Sequence, residues 1–170
     1  MSGQARIVVA AGNENMTMQP FLDYSARVGY RLADRVLHDG TLSLVTDPWG
    51  DYPMGVTAEN VAERFGVSRS DQDEFALISQ QKAAKAVQSG LFAPEIIGVE
   101  VDGGARVIDT DEHPRPNSSL ERLAGLRPAF KPDGTVTAGN SSGINDAGAA
   151  VVLAVRGWPC FCRQSEDRQP

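Results

Sequence analysis

Few side chains in this sequence are of the kinds that carry covalent chemistry, and their spacing does not assemble them. The two histidines, His38 and His113, lie far apart, and neither has a serine, cysteine or carboxylate placed as a nucleophile–base pair. His38 ends a predicted helix, where an imidazole more often serves the last carbonyls than a reaction. His113 follows the acidic run from Asp109 to Glu112 and reads as solvated. Cys160 and Cys162 have one residue between them, too few for a tetrahedral zinc site, which needs Cys-x2–4-Cys and further ligands. Two such cysteines make no disulfide framework either. We expect no metal site and no catalytic residue in this chain.

Binding residues are easier to find. In Gly139-Asn140-Ser141-Ser142-Gly143, two glycines around small polar residues let backbone N–H groups point one way and bring the chain close to a ligand. The same five residues also read as a tight strand-joining turn. Arg115 in a proline-containing loop, with Arg127 and Lys131 further on, could meet phosphate or stand as solvated charges.

The elements around these residues follow from length and pattern. The chain has 170 residues, the size of one domain, with 17 glycines and 10 prolines that call for many loops. Its net charge of −6 gains nothing from counterion release, so no nucleic-acid partner is expected unless a basic patch hides in the fold. No run approaches the ~20 apolar residues of a membrane span, and the polar start lacks the features of a secretory signal. A reducing, cytoplasmic setting is the expectation.

Arg6 to Ala11 predicts a buried strand. Tyr24 to Leu37 carries a loose helical pattern stopped near Asp39-Gly40, and Thr46 to Gly55 a loop with Trp49, Tyr52 and Met54 on it. Thr57 caps a helix with Val61, Ala62 and Phe65 on its apolar face, ending at Gly66. The next helix has two candidate caps, Ser68 with Asp71 and Ser70 with Asp73. It runs to about Ser89 with Phe75, Ile78, Ala83, Ala86 and Val87 inward. Ile96 to Val101 and Arg106 to Ile108 form a hairpin around Asp102-Gly103-Gly104. Leu120 to Leu126 holds one or two helical turns, Thr135 to Ala138 a short strand, and Ala147 to Val155 a buried strand whose alanines leave helix open. From about Val155 the character changes to a tail with no periodicity.

Taken together, four stretches resemble the thiolase family, the acetyl-CoA acetyltransferases and 3-ketoacyl-CoA thiolases. They are Ile7-Val8-Val9-Ala10-Ala11-Gly12-Asn13-Glu14-Asn15-Met16-Thr17-Met18, then Met54-Gly55-Val56-Thr57-Ala58-Glu59-Asn60-Val61-Ala62, then the helix from Ser68 to Ala84, and the run from Leu126 through Gly139-Asn140-Ser141-Ser142-Gly143 to Ala149. The resemblance covers about Ala5 to Ala154. It implies an α/β fold: a partial thiolase-like N-terminal domain with remnant strands (residues 1–21 and 127–154), an inserted α-rich loop domain containing a β-hairpin (22–126), and an unrelated tail (155–170). It implies an acyltransferase parent acting on coenzyme A thioesters by thiolytic cleavage or Claisen condensation.

Carried over residue by residue, the resemblance puts Arg115 near the nucleotide end of coenzyme A. It puts Phe130, Ala138 and Ser142 along the pantetheine, Met54 at the acyl end and Val45 on the cofactor wall. No tightly bound cofactor is implied; coenzyme A or acyl-CoA is the substrate. The partners implied are a homo-oligomer or other thiolase subunits.

Pro53, where many members carry His, Arg122 in place of a serine, and Ala11 and Asn13 in the Gly-Gly-Met segment depart from the pattern. The family's cysteine nucleophile falls before the start of this chain. Its Gly-His-Pro and Cys-x-Gly-Gly-Gly motifs fall after the end. A frame change or gene break near Val155 would account for the tail. The expectation is a fragment inactive alone, with a coenzyme A-binding or thiolase-docking module, or a degenerate product without function, as alternatives.

Overall fold

The computed structural model describes residues 5–155; the expectations placed on Cys160, Cys162 and the tail lie outside the described residues. In chain order the elements are β1 (Ile7–Glu14), β2 (Phe21–Leu22), β3 (His38–Asp39), α1 (Gly40–Leu44), β4 (Thr46–Asp47), β5 (Tyr52–Pro53), α2 (Met54–Phe65), α3 (Arg69–Gln88), β6 (Val99–Val101), β7 (Arg106–Ile108), α4 (Leu120–Ala124) and β8 (Ala147–Ala154). Among the described residues they divide between two units, residues 5–17 with 145–155, and Met18–Ile144.

The first unit is one antiparallel pair. β1 and β8 run in register from Ile7 opposite Ala154 to Glu14 opposite Ala147. The β-branched runs Ile7-Val8-Val9 and Val151-Val152 favour the extended chain and decide against helix for the alanines of β8. Below the strand ends, the Thr17 N–H donates to Asp146 Oδ1 at 2.9 Å. Both strands were expected to be buried and are not: Val152, for example, is 69% exposed. A two-stranded pair has two open faces, and no further strand or helix among the described residues of this unit lies against either.

The second unit carries the helices. The helix expected over Tyr24 to Leu37 does not form; the segment turns at 24–28, bends at 31–33 and is otherwise irregular. Gly29 sits at φ 81°, and Leu32 is 97% exposed, so no packing rewards the apolar spacing. Gly40 opens a helix rather than stopping one, because the Asp39 carboxylate accepts from the N–H groups of Thr41 and Leu42. The expected 46–55 loop contains the β4–β5 pair, with Thr46 opposite Pro53.

α2 starts at Met54, three residues before the expected cap, so Thr57 lies inside the helix. It stops where expected: Gly66 takes the left-handed conformation, φ 66°, that glycine adopts without penalty. α3 settles its start in favour of Ser68, whose hydroxyl accepts from the Asp71 N–H while the Asp71 carboxylate accepts from the Ser68 N–H. Phe75, expected inward, is 77% exposed.

The β6–β7 hairpin turns at Asp102–Gly104 as expected, with a shorter first strand. α4 is capped by Ser119. Among the described residues, Thr135 to Ala138 forms only one bridge, Pro128 to Thr137, and no strand. Among the described residues the buried apolar side chains are Ala62 on α2, Leu123 on α4 and Val136, all within this second unit. No helix among the described residues is long and apolar enough to cross a membrane.

Candidate binding site

The glycine-flanked loop is held from behind by two helices. Glu59, 4% exposed on α2, accepts the backbone N–H groups of Thr135 at 2.9 Å and Val136 at 2.8 Å, and the Thr135 hydroxyl at 3.0 Å. Burial pushes this carboxyl up; these donors, with Lys131 nearby, outweigh burial and hold it below the ordinary carboxylate value. From α3, Gln72 donates to the Thr135 hydroxyl oxygen at 2.9 Å.

Asp73, also on α3 and buried, accepts from Arg69 Nε at 2.8 Å and from Asn140 Nδ2 at 3.0 Å. Asn140 in turn accepts the Thr137 N–H at 2.7 Å and donates to the Thr135 carbonyl at 3.1 Å. The Arg69 Nη2 donates to the carbonyls of Leu123 and Leu126, tying in the end of α4. A Cβ on Gly139 would sit 2.5 Å from a terminal methyl of Leu126 and 2.6 Å from one of Leu123, so the loop passes close over these two side chains.

This frame presents Ala138 and Ser142 on the exposed side of the loop. Between them Ser141 Oγ is buried with no hydrogen-bond partner among the described residues. A second cluster forms nearby in sequence order. The Val45 carbonyl accepts the Met54 N–H at 2.7 Å, and the residue after Met54, Gly55, lies directly against the Phe130 ring, in space a Cβ would need. The backbone joins Phe130 to the loop, because the Ala129 N–H donates to the Val136 carbonyl at 2.9 Å.

The structure therefore joins Met54 to Val45 by a backbone bond, sets Phe130 against Gly55, and carries Ala138 and Ser142 on one loop. Arg115 is fixed separately. Its backbone N–H donates to Gln80 Oε1 on α3 at 2.7 Å, and its Nη1 donates to the carbonyls of Glu112 and His113. An open groove of about 410 Å³ between the end of α2 and residues 131–135 is lined by Glu59, Ser68, Lys131 and Thr135, and by none of these six residues. Among the described residues, no three His, Cys, Asp or Glu side chains gather where they could hold a metal ion.

Sequence reasoning missed Glu59, Gln72, Asp73 and Asn140 as supports. One signal was present: Glu59 precedes Ala62 by three residues and so shares the buried face of α2.

The family profile described as thiolase, N-terminal domain, matches residues 1–157. The acetyl-CoA acetyltransferase of Escherichia coli is 51% identical over 157 residues, spanning 89% of this chain and 40% of that protein. A probable acetyl-CoA acyltransferase of Staphylococcus epidermidis is 46% identical over 90% of this chain and 40% of its own length. The crystal structure of human mitochondrial 3-ketoacyl-CoA thiolase in complex with CoA superposes with a TM-score of 0.79 at 40% identity, over 89% of this chain and 38% of that one. The chain thus spans about 40% of the length of the curated relatives it matches.

Proposed function

Because the chain belongs to the thiolase family, we propose that it supplies the coenzyme A-holding part of a catalyst that moves acyl groups between coenzyme A thioesters. In this reading residues 22–126 are the inserted loop domain, 1–21 and 127–154 are strands of the N-terminal domain, and 155–170 is an unrelated tail. Phe130, Ala138 and Ser142 line the pantetheine, Met54 approaches the acyl end, Val45 forms part of the cofactor wall, and Arg115 faces the nucleotide. The setting is cytoplasmic, and the natural assembly is a homo-oligomer or a complex with thiolase subunits.

The observation that carries this reading is the braced loop. Its exposed residues are small, Ala138 and Ser142, and its backbone is fixed by buried carboxylates on two helices. A thin, extended, uncharged arm such as pantetheine needs close backbone approach and small side chains, and it needs them pre-organised.

Thiolytic chemistry requires a cysteine thiolate to accept the acyl group, a histidine to activate it and a second group to move the α-proton. The cysteines and histidines of this chain sit in none of the family's catalytic motifs. The chain alone therefore binds coenzyme A and turns over nothing.

Titration calorimetry of the 170-residue chain with coenzyme A tests this. Saturable heat is expected, with Phe130→Ala weakening binding about tenfold through lost apolar contact. Absence of heat and of competition by acetyl-CoA would overturn the binding role. Cleavage of acetoacetyl-CoA by the purified chain would overturn its catalytic silence.

A further inference from the structure

We propose that Glu59 and the Asp73–Asn140 pair are positioning residues for the coenzyme A loop, setting through hydrogen bonds alone the backbone path that Ala138 and Ser142 follow. This inference rests on the coenzyme A reading above.

The segment before the loop has almost no ladder of its own. Among the described residues its single bridge joins Pro128 and Thr137. Three successive backbone N–H groups, those of Thr135, Val136 and Thr137, instead donate to side chains: the first two to Glu59 and the third to Asn140 Oδ1. Buried amides must be satisfied, and here the partners, not a neighbouring strand, choose the conformation.

Asn140 is itself oriented by Asp73, which accepts from its amide nitrogen. Asp73 is held by Arg69 through an ion pair at 2.8 Å. Beyond Thr137, the backbone N–H groups of Gly139 and Asn140 donate to the Thr137 hydroxyl and carbonyl, and the Asn140 side chain donates to Asp73 and the Thr135 carbonyl. The position of the exposed loop is thus passed directly from two carboxylates on α2 and α3.

Every contact Glu59 makes with this segment is as an acceptor. That makes the role separable from simple filling of space. Glu59→Gln keeps the shape but turns an N–H₂ donor toward backbone donors. Glu59→Asp shortens the side chain but stays acceptor-only. A packing role predicts that Gln is tolerated better than Asp; a positioning role predicts the reverse.

The experiment measures coenzyme A affinity by calorimetry, and amide exchange at 135–142, for the full chain and three variants, with urea midpoints recorded alongside. Glu59→Gln is expected to raise Kd about tenfold and speed exchange of the Thr135 and Val136 amides. Glu59→Asp recovers part of both. Gln72→Met, which loses the bond to the Thr135 hydroxyl and the longer one to the Val67 carbonyl, shifts both in the same direction about threefold, and carries the test should Glu59→Gln not fold. Unchanged loop exchange, unchanged affinity despite faster exchange, or Gln outperforming Asp would each overturn the proposal. If the wild-type chain binds no coenzyme A, the functional reading falls and the ligand half of this inference with it. The exchange data then still decide whether Glu59 holds the loop.

Discussion

Thr57 shows how a single side chain can sit against its own chemistry. Its hydroxyl is buried inside α2 with no hydrogen-bond partner among the described residues. An unsatisfied buried hydroxyl costs about 1–3 kcal/mol, and a methyl of similar size does not. Thr57→Val should therefore raise the unfolding free energy by about 1 kcal/mol, read as a higher urea midpoint with an unchanged slope. Glu59 is the opposite case, a buried charge with every contact favourable. Its carboxyl is held below the ordinary value of 4.5, so its contribution is complete above that pH and is lost as pH falls through the lowered folded value. The Thr135 and Val136 amide resonances should accordingly stay constant down to about pH 5 and move together in more acid solution. In Glu59→Gln that movement should vanish. At this scale the candidate site was half legible. The glycines and serines of 139–143 announce a loop that admits close approach. Glu59, Gln72 and Asp73 stayed hidden because their partners lie 76, 63 and 67 residues away, and no local pattern reports such a distance.

Among the elements, the ends of the helices are where local chemistry governs. The Ser68–Asp71 box satisfies both backbone donors that begin α3, so Ser68→Ala should cost about 1 kcal/mol and Ser68→Asp should restore most of it, measured by thermal melting. Gly66→Ala forces a Cβ into the left-handed region and should cost about 1 kcal/mol, whatever the space around it. Caps and stops of this kind were readable because each involves residues within one turn. Periodicity was less trustworthy. The spacing over Tyr24 to Leu37 resembles an apolar helical face, yet a face forms a helix only when something covers it, and Val28 and Leu32 are exposed. Thr135 to Ala138 has strand-like composition, but Glu59 and Asn140 occupy the donors a neighbouring strand would have used.

For the whole molecule, the mixed α/β character was readable, while the openness of the β1–β8 pair was not, because burial depends on what lies against a strand and not on its own residues. A two-stranded pair without a covered face is marginal in water. Backbone amides of β1 and β8 should exchange orders of magnitude faster than those of α2 and α3 in the isolated chain, followed by mass spectrometry after peptic digestion. Comparable protection in both units would contradict this. The register has one more consequence. Glu14 faces Ala147, and Thr17 clasps Asp146, so these contacts close the chain between them, residues 18–145, into a single long loop. Zipping those strands from a random coil would mean closing an enormous loop first, an entropic toll that only prior organisation of the intervening residues can lift. Time order in folding is thereby dictated by topology: the helices come first, and the two strands that begin and end the described chain meet last.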